Sequence, residues 1–585
     1  MSFSCKCRID IHFSDIYSDL RRIRVFVDTI IKQVSSLETI FSYKTAASVE
    51  CATVLCGERF SYQLVIIPPK SYRYRIKVDA PQMGDSVKIY KVRDAVMDYP
   101  FSGIDENSDL LTRTPGLIPD ILIPIKDENN CITLHEHDMQ VLWVRIDVPR
   151  DFPAGKYNIK LEFLPLEGHV WEPVAQSPSY ATLTLEVIPF NIPEQSLIYT
   201  QWFYADCIAD YYDVPVYSEK HWDMIERYLK TAVDTGINMI LTPIITPPLD
   251  TAKGIYRTNV QLVDITVKDN RYLFDFAKLD RWIALCKKVG IKYFEMSQLF
   301  SQWGLKYTPG IAANVNGKEE YIFGWHVDSR SSEYAAFLRA FLPAVVNCLK
   351  KNKVYEYTFF HISDEPTEES LETYKYASKL IKPLIGTAKI LDAISDYEFY
   401  KKELVDIPVT DAASMQNFID KGIKEQWVYY AEDLRGISIR NLSAPPYRNR
   451  IMGLQLYKYD IKGFLHWGYN FYNTALSYHK VNPYITSSGE KTLVSGGAFS
   501  VYPGSDGALL SSRALVFYEG LQDIAVCSLL EKIIGRDEVI HIIGEAAEMD
   551  ITFWDYPRNT RFLTDLRKRI TEKIKSKSKA HNSSV

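Results

Sequence analysis

A chain of 585 residues, 46% hydrophobic and 24% charged, is too long for one hydrophobic core and has the composition of a soluble, multidomain globular protein. A net charge of -5 over so large a surface gives no reason to expect nucleic acid or an anionic membrane as partner. No apolar run reaches the length of a membrane span, and the first residues contain no apolar signal segment. We therefore expect a cytoplasmic protein, whose oligomeric state the sequence leaves unknown.

The first third of the chain has the pattern of β-structure. Short alternating runs such as Tyr62–Ile67, Gln140–Val148 and Tyr157–Phe163 are separated by clusters of Pro, Gly, Asn and Asp. This pattern predicts an N-terminal β-sandwich domain over residues 1–193, which ends in a proline-containing linker.

From about Leu197, apolar strands alternate with amphipathic segments of helical length, which indicates parallel β/α units. Eight strands are predicted: Ile198–Tyr204, Asn238–Leu241, Lys292–Met296, Tyr357–Ile362, Lys389–Ala393, Ile407–Thr410, Gln426–Tyr430 and Gly463–Trp467. Eight such units predict a TIM-type β/α barrel over residues 194–488. The remaining residues, 489–585, are predicted to form a small C-terminal α+β subdomain.

Active sites of such barrels lie at the carboxyl ends of the strands. The fourth predicted strand ends in the carboxylates Asp364 and Glu365, which are therefore the candidate catalytic residues. Residues at the ends of this and four other strands are candidates for substrate binding: Trp202, Tyr204, Asp206, Gln298, Trp303, His361, Trp427, Tyr429, Tyr430, His466, Trp467, Tyr469 and Asn470. Carboxylates surrounded by aromatic rings at one barrel mouth are what glycosidic cleavage requires.

Several of these residues also have a purely structural interpretation. His466 fits a core histidine, and about half of the rings on the seventh strand are expected to face the core. The loop Thr246–Thr251 after the second strand either borders a sugar subsite or serves as scaffold. Asp364 and Glu365 themselves could be a solvated pair at the start of the next helix.

Adjacent residues on a strand point to opposite sides, so Asp364 and Glu365 do not form an ordinary pair that flanks a bond. At the point where the strand becomes a loop, the two carboxylates can take different catalytic roles. Glu365 would protonate the glycosidic oxygen, and Asp364 would polarise a substrate group that acts as internal nucleophile. The 2-acetamido group of an N-acetylhexosamine is such a group.

Five motifs in order make the chain similar to glycoside hydrolase family 123: Leu241–Thr251, Phe360–Pro366, Trp427–Tyr430, Gly463–Asn473 and Val501–Gly507. The resemblance implies a retaining β-N-acetylgalactosaminidase with a β-sandwich and a catalytic barrel, acting through an oxazolinium intermediate. Asp364 would orient the acetamide and Glu365 would be the general acid/base. Tyr429, Tyr430, Trp467 and Tyr469 resemble residues that line the sugar subsite. Gln298 departs from the histidine expected there.

Two other functions remain open. An ordinary retaining glycosidase would use Glu365 as acid/base and Glu432 as nucleophile, and a non-catalytic protein on the same scaffold would bind sugars without cleaving them. No glycine-rich phosphate loop follows a predicted strand, so no nucleotide cofactor is expected. The dispersed cysteines predict no metal site. The expected partner is a glycan or glycoside substrate.

Overall fold

The computed structural model describes residues 29–42, 47–80, 82–101, 109–125, 130–168, 177–431 and 436–582. The segment on which the expected cytoplasmic location rests, and Glu432, the alternative nucleophile, lie outside these residues. No helix in the described part of the chain is long and apolar enough to cross a membrane.

The described residues of the N-terminal region form ten strands: β1 Ile30–Ser35, β2 Cys51–Cys56, β3 Arg59–Ile67, β4 Tyr72–Asp79, β5 Val87–Met97, β6 Gly116–Pro124, β7 Cys131–Leu134, β8 Gln140–Asp147, β9 Gly155–Gly168 and β10 Ser179–Asn191. Their sequences alternate as half-buried strands do. In β4, Tyr72, Tyr74 and Ile76 are buried while the basic residues between them are exposed.

The strands form two sheets packed face to face. The first has the order β2-β10-β9-β4-β7. The second has the order β1-β3-β8-β5-β6-β24-β23, in which β23 (Val501–Gly504) and β24 (Gly507–Ser511) come from the far end of the chain. The facing sides share one apolar core, which includes Leu64 and Leu161. The other side of the seven-stranded sheet packs against helices of the rest of the molecule.

Eight parallel strands form a closed barrel, in which the last strand pairs with the first. They are β11 Ile198–Gln201, β12 Met239–Thr242, β15 Tyr293–Met296, β18 Thr358–Phe360, β19 Lys389–Ala393, β20 Ile407–Asp411, β21 Trp427–Tyr429 and β22 Gly463–His466. Each coincides with a predicted strand, in the predicted order. The prediction of eight parallel strands is therefore confirmed.

Eleven helices accompany the strands in the described part: α1 Ala205–Tyr212, α2 Glu219–Asp234, α3 Ala277–Val289, α4 Ser332–Lys351, α5 Leu371–Ile385, α6 Tyr397–Lys401, α7 Met415–Ile419, α8 Pro446–Lys458, α9 Ser512–Ile534, α10 Arg536–Ala547 and α11 Thr560–Asn582. Side-chain oxygens of Ser218, Ser331 and Ser511 cap α2, α4 and α9. Helices α8 and α9 cross closely at two glycines, since a Cβ on Gly453 would stand 2.1 Å from the carbonyl oxygen of Gly520.

Two hairpins are inserted at the open end of the barrel. Strands β13 (Asp264–Lys268) and β14 (Arg271–Asp275) follow β12, and strands β16 (Ile311–Val315) and β17 (Lys318–Phe323) follow β15. Together they form one four-stranded sheet of order β14-β13-β16-β17. Because both insertions leave the carboxyl ends of barrel strands, this sheet lies beside the barrel mouth.

The segment after residue 488 contributes to both other parts of the molecule. Strand β24 pairs with β6 of the N-terminal region, and helix α9 packs against α8. The domain boundaries near residues 193 and 488 remain predictions.

Candidate active site

A cavity of about 260 Å³ lies at the carboxyl end of the barrel. Its lining comes from the carboxyl ends of seven of the eight strands and the segments that follow them, together with one residue from a later loop. The lining residues are Trp202, Tyr204, Leu249, Asp250, Gln302, Trp303, Asp364, Glu365, Ala393, Tyr429, Ala431, Leu465, Trp467 and Leu493.

Both candidate catalytic acids reach this cavity, although they are adjacent in sequence. Glu365 has φ +45°, in the left-handed region that side chains other than glycine rarely adopt. This conformation breaks the alternation of an extended strand, so the two carboxylates line one space instead of opposite faces. Asp364 is only 6% exposed, whereas Glu365 is half-buried.

Asp364 accepts a hydrogen bond from Gln302, whose Nε2 lies 2.6 Å from Oδ2. Burial and the neighbouring Glu365 carboxylate raise the pKa of Asp364 well above its ordinary value; Gln302 and the His361 cation act in the opposite direction. Two close carboxylates resist double ionisation, so this arrangement favours retention of a proton by the pair, which is the state that a general acid needs.

Glu365 is held by two donors, one from strand β21 and one from the loop after β15. The Tyr429 hydroxyl donates to Oε1 over 2.7 Å, and the Trp303 indole N–H lies 3.4 Å from Oε2. Burial and the nearby Glu365 raise the pKa of Tyr429 well above its ordinary value, so its hydroxyl remains a donor. The Glu365 carboxyl is thereby fixed toward the cavity.

A charged network beneath the acids supports the segment that carries them. His361 lies between Glu295, 2.9 Å from its Nε2, and Asp392, 3.1 Å from its Nδ1. Burial alone would lower the pKa of His361, but the two carboxylates raise it to about 9. Asp392 also accepts from the backbone N–H groups of Ile362 and Ser363. The backbone leading to Asp364 is therefore fixed at three consecutive residues.

The sequence model of the glycoside hydrolase 123 catalytic domain matches residues 202–530, more than half of the chain. The chain belongs to glycoside hydrolase family 123. The resemblance inferred from the five motifs is confirmed, and so is the prediction that the protein is a glycoside hydrolase.

Two solved structures resemble the chain to different degrees. A family 123 glycoside hydrolase from Clostridium perfringens, described in terms of glycolipid glycan hydrolysis, is 16% identical with a TM-score of 0.68, covering 94% of this chain and 97% of that chain. It shows the shared fold. A family 5 mannosidase from Rhizomucor miehei is 12% identical with a TM-score of 0.34, covering 59% of this chain and 95% of that chain. No curated protein matches the chain significantly.

In this family 123 enzyme the structure brings seven of the predicted site residues to the cavity: Trp202, Tyr204, Trp303, Asp364, Glu365, Tyr429 and Trp467. Along strand β21 and the residue after it, successive side chains point to opposite sides, so the aromatic rings fall into two groups. Trp427 and Tyr429 point into the barrel, whereas Tyr430 points toward the helices. Trp427 lies deeper than the cavity and occupies the space beside Gly463, where a Cβ would stand 2.0 Å from the indole.

Tyr430, His466 and Tyr469 do not line the cavity. The rings of Tyr430 and His466 meet edge to face at 5.1 Å behind the barrel strands. His466 Nδ1 accepts from the backbone N–H of Gly468 and from Arg440. Burial and the Arg440 and Arg513 cations lower the pKa of His466 well below its ordinary value. The Tyr469 hydroxyl donates to the backbone carbonyl of Tyr228. All three side chains are therefore buried among other parts of the protein and do not face the cavity.

Asn470 and Asp206 do not line the cavity either. Asn470 Oδ1 accepts from the Tyr204 N–H, and its Nδ2 donates to the Tyr204 carbonyl, both at 2.9 Å. Asp206 is buried 3.4 Å from the Arg257 guanidinium. Gln298 is buried and has no hydrogen-bond partner for its amide among the described residues. It lies outside the lining, as does His361.

The sequence predictions missed Gln302, although Trp303 beside it was chosen. The predicted loop Thr246–Thr251 supplies Leu249 and Asp250 to the lining, which favours its first interpretation. Leu493 comes from a loop far from any barrel strand in sequence, and no sequence signal indicated it. Within the described residues, no cluster of three or more His, Cys, Asp or Glu side chains could hold a metal ion.

Proposed function

We propose that this enzyme removes terminal β-linked 2-acetamido sugars, N-acetylgalactosamine in particular, at the mouth of a TIM-type barrel. The reaction would retain configuration and pass through an oxazolinium intermediate. One observation carries the proposal: Asp364 and Glu365 are adjacent, yet both line the same cavity because Glu365 has a left-handed backbone.

In the first step the acetamide carbonyl oxygen attacks the anomeric carbon as the bond to the leaving group breaks. The Glu365 carboxyl gives its proton to the departing oxygen. Asp364 accepts a hydrogen bond from the acetamide N–H and stabilises the positive charge of the oxazolinium ring. In the second step Glu365 takes a proton from water, which attacks the same carbon and reopens the ring.

The raised pKa of Asp364 supports this division of roles. Because burial and the neighbouring Glu365 raise the pKa of Asp364, the two carboxylates resist double ionisation, and an acetamide N–H that donates to Asp364 favours its anionic form. The proton is then left on Glu365, beside the glycosidic oxygen. A carboxylate that is buried and already bonded to Gln302 suits the role of orienting the acetamide, because its position is fixed.

The size of the cavity supports removal of a single terminal sugar. Its volume of about 260 Å³ is below the roughly 300–1,000 Å³ of sites that enclose drug-sized ligands. The rings of Trp202, Tyr204 and Trp467 provide flat apolar faces with polar edges around the acids. The similar Clostridium perfringens protein is described in terms of glycolipid glycan hydrolysis, so we include glycolipid glycans among the candidate substrates.

The test compares aryl β-glycosides of N-acetylgalactosamine, N-acetylglucosamine and sugars without the acetamide. We expect turnover only of the 2-acetamido glycosides, fastest with N-acetylgalactosamine. Glu365→Gln and Asp364→Asn should each lose most of this activity, and a thiazoline analogue of the intermediate should inhibit strongly. Wild-type activity in either variant would refute the assignment.

The alternative with Glu432 as nucleophile also remains a proposal. The neighbouring Ala431 lines the cavity, which places the start of that loop near the acids. This mechanism needs no acetamide and predicts that a 2-fluoro sugar labels Glu432. Labelling of Glu432, with equal turnover of sugars lacking the acetamide, would favour it over the substrate-assisted mechanism.

A further inference from the structure

We propose that a row of aromatic side chains beside the cavity binds the sugar residues of the leaving group. This row, the aromatic wall, consists of Tyr256, Tyr307, Tyr321 and Trp325, which come from the loop after β12 and from the insertion after β15. The inference rests on the proposed function, because it assumes that a terminal sugar is cleaved from a longer glycan.

The four rings form one connected surface. Tyr256 and Tyr321 stack with centroids 4.6 Å apart and planes 18° apart, and Tyr307 meets Trp325 edge to face at 5.7 Å. The backbone N–H of Trp325 donates to the Tyr256 hydroxyl over 3.1 Å, which joins the two pairs. The wall is therefore a single feature rather than four scattered residues.

The ring of Tyr256 is seated against glycines. A Cβ on Gly310 would lie 2.8 Å from the ring, and one on Gly324 would lie 2.2 Å from the hydroxyl oxygen. Tyr256 and Tyr321 nevertheless remain 39% and 38% exposed. The cleft behind them has a volume of only about 20 Å³, so a ligand would lie across the exposed outer parts of the two rings.

The wall is continuous with the catalytic acids through two loops that run side by side. The loop from Ser301 to Tyr307 is closed by reciprocal hydrogen bonds, since Ser301 N–H donates to the Tyr307 carbonyl and Tyr307 N–H to Ser301 Oγ. Its tip carries Trp303, which contacts Glu365. Lys253 Nζ donates to the Tyr307 hydroxyl over 2.6 Å and ties the second loop to the first.

The direction of the leaving group follows from the position of the acid. Glu365 protonates the glycosidic oxygen, so the leaving group departs on its side of the cavity. Trp303, 49% exposed, lies on that side, and the wall continues from its loop. Each ring of the wall is a tyrosine or tryptophan, with an apolar face and a polar edge. Such rings suit hydroxylated sugar rings better than an alkyl chain.

The test compares three substrates that share the same terminal sugar: a tetrasaccharide, a nitrophenyl glycoside and an octyl glycoside. We expect Tyr321→Ala to reduce the ratio of kcat/KM for the tetrasaccharide to that for the nitrophenyl glycoside about five- to tenfold, through loss of one stacking surface. Tyr321→Phe keeps the ring and should restore the ratio. Tyr357→Ala removes a tyrosine that is 51% exposed at the opposite end of the barrel, and is the matched control.

An unchanged ratio in Tyr321→Ala would overturn the inference, and so would an equal fall in Tyr357→Ala. A selective loss of the octyl glycoside would instead assign the wall to a lipid chain, and would equally overturn it. Failure of the proposed function is distinguishable, because the wild type would then cleave none of the three substrates.

Discussion

The side-chain amide of Gln302 joins the backbone of Asp250 to the carboxylate of Asp364. Oε1 of Gln302 accepts from the Asp250 N–H over 2.6 Å, and Nε2 donates to Asp364 Oδ2 over 2.6 Å. The first bond fixes the orientation of the amide, because only the oxygen can accept from an N–H. The donor that faces Asp364 is thus preset, and it favours the ionised carboxylate that the proposed mechanism requires.

Gln302→Leu should therefore reduce kcat at least about tenfold, since a hydrogen bond to a charged group contributes about 1.5–3 kcal/mol. Loss of the donor raises the pKa of Asp364 further, so the acidic limb of the kcat/KM profile should move to higher pH. Gln416→Leu, at an exposed glutamine on α7, is the control. A fall in activity without movement of the acidic limb would contradict the role of Gln302.

The sequence predicted the barrel strands and the acid pair, but it did not predict which ring faces the cavity. Strand periodicity is visible in apolar runs, so eight strands and their order could be read directly. Trp427, Tyr429 and Tyr430 are all aromatic, however, and their pattern carries no information about which side points inward. Gln302 reaches Asp364 from a loop in which the next residue, Trp303, has a left-handed backbone. Strand β24 pairs with β6, which lies far away in the sequence. Neither leaves a local signal.

Tyr429→Phe tests whether the Tyr429 hydroxyl holds the proposed general acid, Glu365, in position. The change removes the hydroxyl that donates to Glu365 Oε1 over 2.7 Å and leaves the ring in place. We expect kcat/KM to fall about tenfold, and most for leaving groups that need full protonation. Tyr430→Phe is the matched comparison, because that hydroxyl has no hydrogen-bond partner among the described residues. An equal loss in both variants would favour the sequence expectation that both tyrosines contact the sugar.

Asp98 connects the N-terminal sheet to the loop that supplies Leu493. Its carboxylate accepts from the hydroxyls of Thr486, Ser488 and Ser495 and from the backbone of Ser487. Although burial alone would raise it, these donors hold the pKa of Asp98 below its ordinary value. The contribution of Asp98 to stability is therefore present above a pH of about 3.8 and is lost as the pH falls through the lowered pKa.

Asp98→Asn should release this loop, because an amide nitrogen cannot accept the bonds that one carboxylate oxygen receives. We expect KM for an aryl glycoside to rise several-fold and limited proteolysis to cut near residues 486–495. Asp94→Asn, at an exposed position of strand β5, which precedes Asp98, should have neither effect. Resistance to proteolysis equal to that of the wild type would show that the loop is held by other contacts.

His361 provides a test of stability, since its cation lies between two buried carboxylates. Its pKa of about 9 exceeds the ordinary value near 6.5, so its stabilising contribution is complete below a pH of about 6.5 and is lost as the pH rises through about 9. This difference in pKa corresponds to about 3 kcal/mol of folding free energy. His361→Gln should therefore lower the melting temperature strongly at pH 6, and by much less at pH 9.5.

The matched control is His479→Gln, which changes a surface histidine paired with Glu490. A surface ion pair contributes little, so this variant should melt like the wild type at both pH values. If His361→Gln is equally destabilised at pH 6 and pH 9.5, the loss comes from packing rather than from charge. The histidine would then be neutral in the folded protein, and the backbone that carries Asp364 would be held by the hydrogen bonds of Asp392 alone.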